Sequence, residues 1–304
     1  MNSKNILLSI IGPTASGKSD LALKLASYFK TRIISADSRQ FYRELNIGTA
    51  KPSAAALKKV PHHFINSHSI LEEFNVGDFE KSVIDLLNKF FRQYNILIMV
   101  GGSGLYCKAV WEGLDKFPII DTDLRSVINE EVSENGLDPL LAELSKSDPI
   151  YFNQVDQQNP ARIKRAIEVI RSTNEPFSSF HGKAKTVRLF ENLKIGISLD
   201  RKVLYEKIDS RIEQMIKNGL FEEVKSLIPN RHLNALQTLG YTEIFDHYKG
   251  KYDKEETIRL LKRNSRRYAK RQLTWFQKDD DINWLDPNKD WERILEQIHH
   301  QLNA

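Results

Sequence analysis

Two nearly uninterrupted apolar runs, Ile6 to Ile11 and Asn95 to Val100, stand out from a polar background. Neither alternates, which predicts strands buried on both faces, as in a parallel sheet. Arg32 to Ser35 and Lys194 to Leu199 predict two further strands. Between the strands, apolar residues recur at helical spacing. Leu21, Ala22, Leu25, Ala26 and Phe29 mark one helix, and Phe79, Val83, Ile84, Leu87, Phe90 and Phe91 another, with Asp78 as its expected N-cap. Strands alternating with helices predict an α/β fold with a parallel sheet flanked by helices.

The texture changes over residues 118–185. Leu124, Val127, Ile128 and Val132 fit one helix, Ile163, Ala166, Ile167 and Ile170 a second, and Pro139, Pro149, Pro160 and Pro176 punctuate the stretch. Strand signals are missing there, so an all-helical insertion domain is expected at 118–185, inside a core made of 1–117 and 186–304. After Asp200 the chain reads as helical to about Lys278, with Leu204, Ile208, Ile212, Met215 and Ile216 as an apolar stripe. Near its end Lys262, Arg263, Arg266, Arg267, Lys270 and Arg271 recur with no acid between them. They occupy a side distinct from Ile258, Leu261, Tyr268, Leu273 and Phe276, to which Trp275 is also assigned. Such a stripe suits a phosphate backbone, or is a solvated helix face.

Composition narrows the class. The 304 residues are 40% hydrophobic and 28% charged, with net charge +5. That suits a water-soluble globular chain with a mild basic bias. Cys107 is the only cysteine, which excludes an internal disulfide and a cysteine-based zinc site. Met1 to Lys4 lacks a basic leader, and no run nears the roughly 20 apolar residues of a membrane span. A cytoplasmic protein with no membrane partner is expected, with a monomer as the default state.

The chemistry concentrates at strand ends. After the first strand comes Gly12-Pro13-Thr14-Ala15-Ser16-Gly17-Lys18-Ser19, the G-x-x-x-x-G-K-S spacing of a phosphate-binding loop. Glycines permit turns that side chains would block. Loop amides and the helix N-terminus then face an anion, Lys18 adds a point charge, and the Ser19 hydroxyl can ligate Mg²⁺. The loop indicates a di- or triphosphate without naming the reaction. Asp37 follows the second strand, where α/β proteins place ligands. It reads as a turn carboxylate, a metal partner or a general base. Gly101-Gly102-Ser103-Gly104 forms another strand–glycine–helix turn, with Leu105 opening the helix. His62, His63 and His68 are close in sequence but lack metal-ligand spacing. Arg201 and Arg211 each stand just beyond a core strand, where either could reach a diphosphate.

Taken together, these blocks resemble the tRNA dimethylallyltransferase family. The resemblance rests on the phosphate loop, Asp37-Ser38-Arg39-Gln40 through Tyr42, Gly48-Thr49-Ala50-Lys51-Pro52, Gly101 to Tyr106, and Arg267-Tyr268-Ala269-Lys270-Arg271-Gln272 with Thr274-Trp275. Asn159 to Arg165 and Leu239-Gly240-Tyr241 agree more weakly. They run in family order over nearly the whole chain. The resemblance implies transfer of a dimethylallyl group from dimethylallyl diphosphate to N6 of the adenosine 3′-adjacent to the anticodon in tRNA. It implies Mg²⁺, a diphosphate rather than ATP in the loop, and a diphosphate contact from Arg211. It assigns Asp37 as base and gives Ser103 contact with the reacting groups and the tRNA. The family more often has Thr at that position; Ser103 keeps the hydroxyl. Further implied tRNA contacts are Asp37, Ser38, Arg39, Gln40, Arg125, Ala161, Arg162, Ile163, Lys164 and Arg165, with the insertion gripping the anticodon stem-loop. Other readings stay open: a small-molecule kinase or NTPase, an isopentenyltransferase acting on free adenine nucleotides, and an RNA-binding module with a vestigial loop.

Overall fold

The computed structural model describes residues 4–118, 120–182, 186–286 and 291–303. Contacts divide the chain into two compact units, one running to Glu112 and resuming at Val187, the other spanning Gly113–Thr186.

In the first unit β1 (Ile6–Ile11), β2 (Ile33–Ser35), β3 (His62–His63), β4 (Ile96–Gly101), β5 (Glu191–Ile197) and β6 (Asn283–Leu285) form one sheet in the order β3-β2-β4-β1-β5-β6. Every ladder is parallel. Helices α1 (Lys18–Tyr28), α2 (Ala54–Lys59), α3 (Val76–Phe90) and α4 (Gly104–Glu112) lie between the early strands in sequence. The second unit holds α5 (Thr122–Asn135), α6 (Asp138–Ser147), α7 (Pro149–Gln154) and α8 (Pro160–Thr173). The first unit then continues with α9 (Arg201–Lys217), α10 (Leu220–Ser226), α11 (Thr242–Tyr248), α12 (Lys254–Phe276) and α13 (Trp291–Asn303). No helix among the described residues is long and apolar enough to cross a membrane.

The non-alternating β1 run has a direct physical explanation. Ile6, Leu8 and Ile10 pack with Leu21 and Leu25 of α1 and Ile294 and Ile298 of α13. Leu7 and Ile11 point into the other layer, with Phe79, Val83 and Leu87 of α3 and Cys107 and Val110 of α4. Both faces are covered, so both parities must be apolar. The second unit has its own core, including Ile128, Leu140, Leu144, Ile163, Ile167 and Phe177.

Several details depart from the sequence reading. Asn75, not Asp78, caps α3: its side chain accepts from the Gly77 and Asp78 amides, while Asp78 answers from the third position of a capping box. The long helical stretch after Asp200 is broken at Gly219, whose φ of 97° heads α10, and again between α10 and α12. β3 and β6 are edge strands of two and three residues, too short to show a period. The strand expected at Lys194 to Leu199 runs earlier, over Glu191–Ile197.

Two consequences position the site. β1 lies between β4 and β5, while the chain leaving β1 passes to β2 on the far side of β4. Its carboxyl end is therefore a topological switch point, where crevices form. Beside it, α10 pins the 46–48 turn. Glu223 accepts from the amides of Asn46 at 3.1 Å, Ile47 at 2.7 Å and Gly48 at 3.0 Å, and from the Tyr241 hydroxyl at 2.7 Å. Gly48 is required there, since a Cβ would stand 2.6 Å from the Tyr241 ring. Glu223→Gln removes the charge and turns one acceptor oxygen into a donor that faces either two amides or one amide and the Tyr241 hydroxyl. We expect it to lower stability in urea unfolding by about 1.5–3 kcal/mol, the range for hydrogen bonds to a charged group.

Candidate active site

The loop Gly12 to Ser19 bridges β1 and α1. Gly12 and Gly17 have φ of 152° and 90°, and Ala15 also sits at positive φ. The first intrahelical bond of α1 runs from the Leu21 amide to the Gly17 carbonyl. That leaves the first-turn amides of Lys18, Ser19 and Asp20 without helical partners, as an anion site requires. The Lys18 ammonium donates to the Pro13 carbonyl at 3.0 Å. Ser16 Oγ is buried and has no hydrogen-bond partner.

The tips of β2 and β4 bring Ser103 against Ser38, the neighbour of Asp37, although Ser103 lines neither of the two chambers of the site. The Ala36 amide donates to the Val100 carbonyl at 2.7 Å, and a Cβ at Gly101 would collide with the Ala36 backbone. Asp37 Oδ1 accepts from the Arg39 amide at 3.0 Å, which fixes the turn. Ser103 Oγ accepts from the Ser38 amide at 3.2 Å and donates to Ser38 Oγ at 3.4 Å.

Helix α12 joins the two glycine turns. Gln272 is buried; its oxygen accepts from the Thr14 amide at 2.8 Å and its amide donates to the Gly102 carbonyl at 2.8 Å. Thr14 thus gives its N–H to the helix rather than to a loop ligand. Gly102 and Gly104 are glycines because a Cβ would collide with Gln272 and Trp275 respectively.

Two chambers meet at this point. One, of about 370 Å³, is lined by Lys18, Ser19, Asp20, Lys51 and His62 among others. The second, of about 310 Å³, is lined by Arg39, Gln237 and Thr238 and by the apolar Ile208, Ile212, Met215, Leu220 and Leu261. Thr14, Asp37, Arg211 and Tyr268 line both. Burial and the nearby Arg211 charge lower the Lys18 ammonium to about 8, against an opposing pull from Asp37. Burial likewise lowers Arg211, with Asp37 opposing. Among the described residues Arg211 has no hydrogen bond or ion pair. Lys51 is also brought down to about 8, mainly by burial. Burial pushes the Cys107 thiol up to about 12, so it is inert packing beneath the loop.

The remaining predicted residues distribute unevenly. Arg201 is exposed and donates to the Tyr205 hydroxyl at 3.1 Å, whereas Arg211 reaches the chambers. The Gln40 side chain is buried, donates to the Thr49 carbonyl at 3.2 Å and lines the Lys18 chamber from beneath that turn. Arg39 donates to the Asn234 and Ala235 carbonyls while lining a chamber. In the second unit Ala161 and Arg162 are exposed, and Lys164 donates to Asn129 at 2.7 Å. Arg125 and Arg165 both pair with Glu168, at 3.3 and 3.1 Å. Ile163 is fully buried in that unit's core, as its place in the apolar stripe predicts, so its side chain anchors α8 and is not free for the tRNA contact that the resemblance implies. The sequence reading placed Tyr268 on an apolar back face and gave no role to Gln272, Lys51 or Glu223. The first three lie inside the motif blocks, the one signal that could have marked them.

A lysine- and hydroxyl-bearing glycine loop at the switch point of a parallel sheet defines a phosphate-loop protein of the P-loop NTPase fold. Within that class, residues 40–279 match the IPP transferase family, and the chain belongs to it. It is 46% identical over 300 residues, 99% of each chain, to the tRNA dimethylallyltransferase of Christiangramia forsetii. It is 48% identical over 283 residues, 93% of each, to that of Cytophaga hutchinsonii. The crystal structure of the full-length tRNA isopentenylpyrophosphate transferase of Bacillus halodurans matches with a TM-score of 0.72 at 35% identity, covering 99% of this chain and 97% of that one. A eukaryotic dimethylallyltransferase acting on tRNA matches with a TM-score of 0.76 at 25% identity, covering 93% of this chain and 74% of its own.

The lowered Lys18 sets a pH dependence. A bound anion favours the charged ammonium, so above about pH 8 binding must first add a proton. Calorimetry with inorganic diphosphate should show affinity falling between about pH 7 and about pH 9, with proton uptake. Lys18→Arg stays charged, and subtracting its profile removes the ligand's own protonation. Identical profiles for the two proteins would contradict the assignment.

Proposed function

We propose that the protein transfers a dimethylallyl group from dimethylallyl diphosphate to N6 of the adenosine 3′-adjacent to the anticodon in tRNA, releasing diphosphate. One observation carries the local chemistry: Asp37 stands on the wall shared by a cationic chamber and a partly apolar one. Family membership supports the substrate pair.

In this reading the diphosphate occupies the Lys18 chamber. It is held by the loop Gly12, Pro13, Thr14, Ala15, Ser16, Gly17, Lys18 and Ser19, with Arg211 opposite. The partnerless Ser16 hydroxyl gains an acceptor. Thr14, already bonded to Gln272, acts by holding the loop in place. Ile208, Ile212 and Met215 offer the five-carbon chain a dry surface. The adenine amine is a weak nucleophile because its lone pair is delocalised into the ring, so alignment with the allylic carbon is the main requirement. As the C–N bond forms and the C–O bond to diphosphate breaks, the amine proton becomes acidic and passes to the Asp37 carboxylate. Lys18 and Arg211 meet the charge left on the departing diphosphate. Ser103 holds the Ser38 turn beside Asp37.

The oxygen donors Ser19 and Asp20 line the same chamber as Lys18, a pair that would suit Mg²⁺. Ser19 is the residue we assign to hold it; when bound, the ion neutralises leaving-group charge. The adenosine must leave its stack, at a cost of a few kcal/mol that RNA contacts offset. Ser38, Arg39, Arg125, Arg162, Lys164 and Arg165 are the contacts we assign, with the second unit receiving the anticodon stem-loop. The protein acts as a monomer in the cytoplasm.

The test is incubation of labelled dimethylallyl diphosphate and Mg²⁺ with unmodified tRNA. Label in the adenosine beside the anticodon is expected; unlabelled RNA beside brisk ATP hydrolysis would instead support a nucleotide-dependent enzyme. Asp37→Asn should lower kcat by about 10²-fold or more, the range for a lost general base, with tRNA affinity changed only a few-fold.

A further inference from the structure

The apolar side of the Asp37 chamber is not backed in the same way throughout. Ile208, Ile212, Leu220 and Leu261 line it and are buried, with packed core behind them. Met215 also lines it and packs on the same cluster, yet it is only half-buried. Behind Met215 lies a third recess of about 510 Å³, a groove whose rim carries the exposed amides of Asn46, Asn66, Gln214 and Asn218.

Two side chains line both this groove and the Asp37 chamber, Arg211 and Met215, one turn apart on α9. These two therefore form the partition between them. Arg211 faces the diphosphate in the proposed reading, which leaves Met215 as the apolar part of the partition. Beyond it the groove offers Ile47 and Pro52, an apolar strip between the amides.

Allylic diphosphates of five and ten carbons share the same reacting end, so an enzyme can distinguish them only at the far end of the chain. Attraction cannot make the distinction, because a longer chain gains affinity with every methylene it buries. Rejecting it takes an obstruction where the tail would continue. We propose that Met215 is that obstruction, a specificity-determining stop that confines the donor to five carbons and excludes ten-carbon allylic diphosphates. An unbranched thioether suits the place, since it fills an irregular gap beside packed core. The inference rests on the reading of the chain as a dimethylallyl transferase. With either donor the same bonds change: N6 bonds to the allylic carbon, the C–O bond to diphosphate breaks, the amine proton passes to Asp37 and diphosphate leaves.

The test compares kcat/KM for dimethylallyl and geranyl diphosphate, each with unmodified tRNA and Mg²⁺. Wild type should strongly prefer the five-carbon donor. Met215→Ala joins the chamber to the groove, and the geranyl-to-dimethylallyl ratio should rise about 10-fold or more, the scale on which hydrophobic pockets discriminate being about 10–200-fold per methylene. Mass spectrometry should then find geranylated adenosine in the RNA. Met215→Leu, close in volume, should keep the wild-type ratio. Gln214→Ala alters the groove alone and should leave both donors unchanged. Affinity for inorganic diphosphate, measured by calorimetry, should be the same in Met215→Ala as in wild type. General damage lowers both donors together and cannot raise the ratio.

An unchanged ratio in Met215→Ala, with dimethylallyl transfer retained, would overturn the stop; so would a wild type that uses both donors equally well. Either outcome leaves the prenyl-transfer reading intact. A wild-type chain that transfers neither group removes both. Should Met215→Ala fail to fold, Met215→Val, a smaller truncation, decides by the same ratio.

Discussion

Two cations shielded together in a cavity are the constraint on which this structure turns. Burial and the Arg211 charge lower the Lys18 ammonium, burial lowers Arg211, and Asp37 answers only part of each. Arg211 has no pairing partner among the described residues, and Ser16 keeps a buried hydroxyl without a partner. Such an arrangement is unfavourable until an anion with several acceptor oxygens enters, because like charges and bare polar groups in low dielectric are expensive. In the proposed reading the diphosphate supplies that missing negative charge.

The remaining architecture holds that cavity in register. The sheet delivers three strand ends to one edge: the phosphate loop after β1, Asp37 after β2 and Ser103 after β4. Long-range bonds then fix them. Gln272 reaches both glycine turns from α12, and Glu223 gathers three amides of the 46–48 turn from α10. Helix α12 thus ties both glycine turns to one rigid element, which suits a reaction whose main requirement is alignment.

Much of the fold could be read from residue order. The β1 and β4 runs, the α1 and α3 stripes and the phosphate loop carry local periodicity or spacing, and local signals survive without a structure. Elements that depend on partners did not. β3 and β6 exist because a neighbouring strand offers a ladder, and two or three residues show no period. The Gln272 bonds join positions 258 and 170 residues apart, beyond any window of pattern reading. Tyr268 and Trp275 were assigned to an apolar face because a helix face lining a cavity has the same spacing as one lining a core. Trp275 is 40% exposed, which corrects that assignment. The basic stripe was legible as charge, yet the pairing of Lys262 with Glu213 and of Arg266 with Asp209 depends on acids of α9. Arg211 was reachable by spacing only as one of two candidates; the geometry separates it from Arg201.

The central claim is that Asp37 opposes the diphosphate electrostatically and serves as a proton acceptor. Calorimetric titration of inorganic diphosphate with Mg²⁺ into wild type and Asp37→Asn tests it most directly. Removing a carboxylate that faces the anion relieves repulsion, so the Asn variant should bind diphosphate at least as tightly as wild type while its prenyl transfer collapses. Markedly weaker diphosphate binding by Asp37→Asn would contradict the account, placing that carboxylate on the metal rather than on the amine proton.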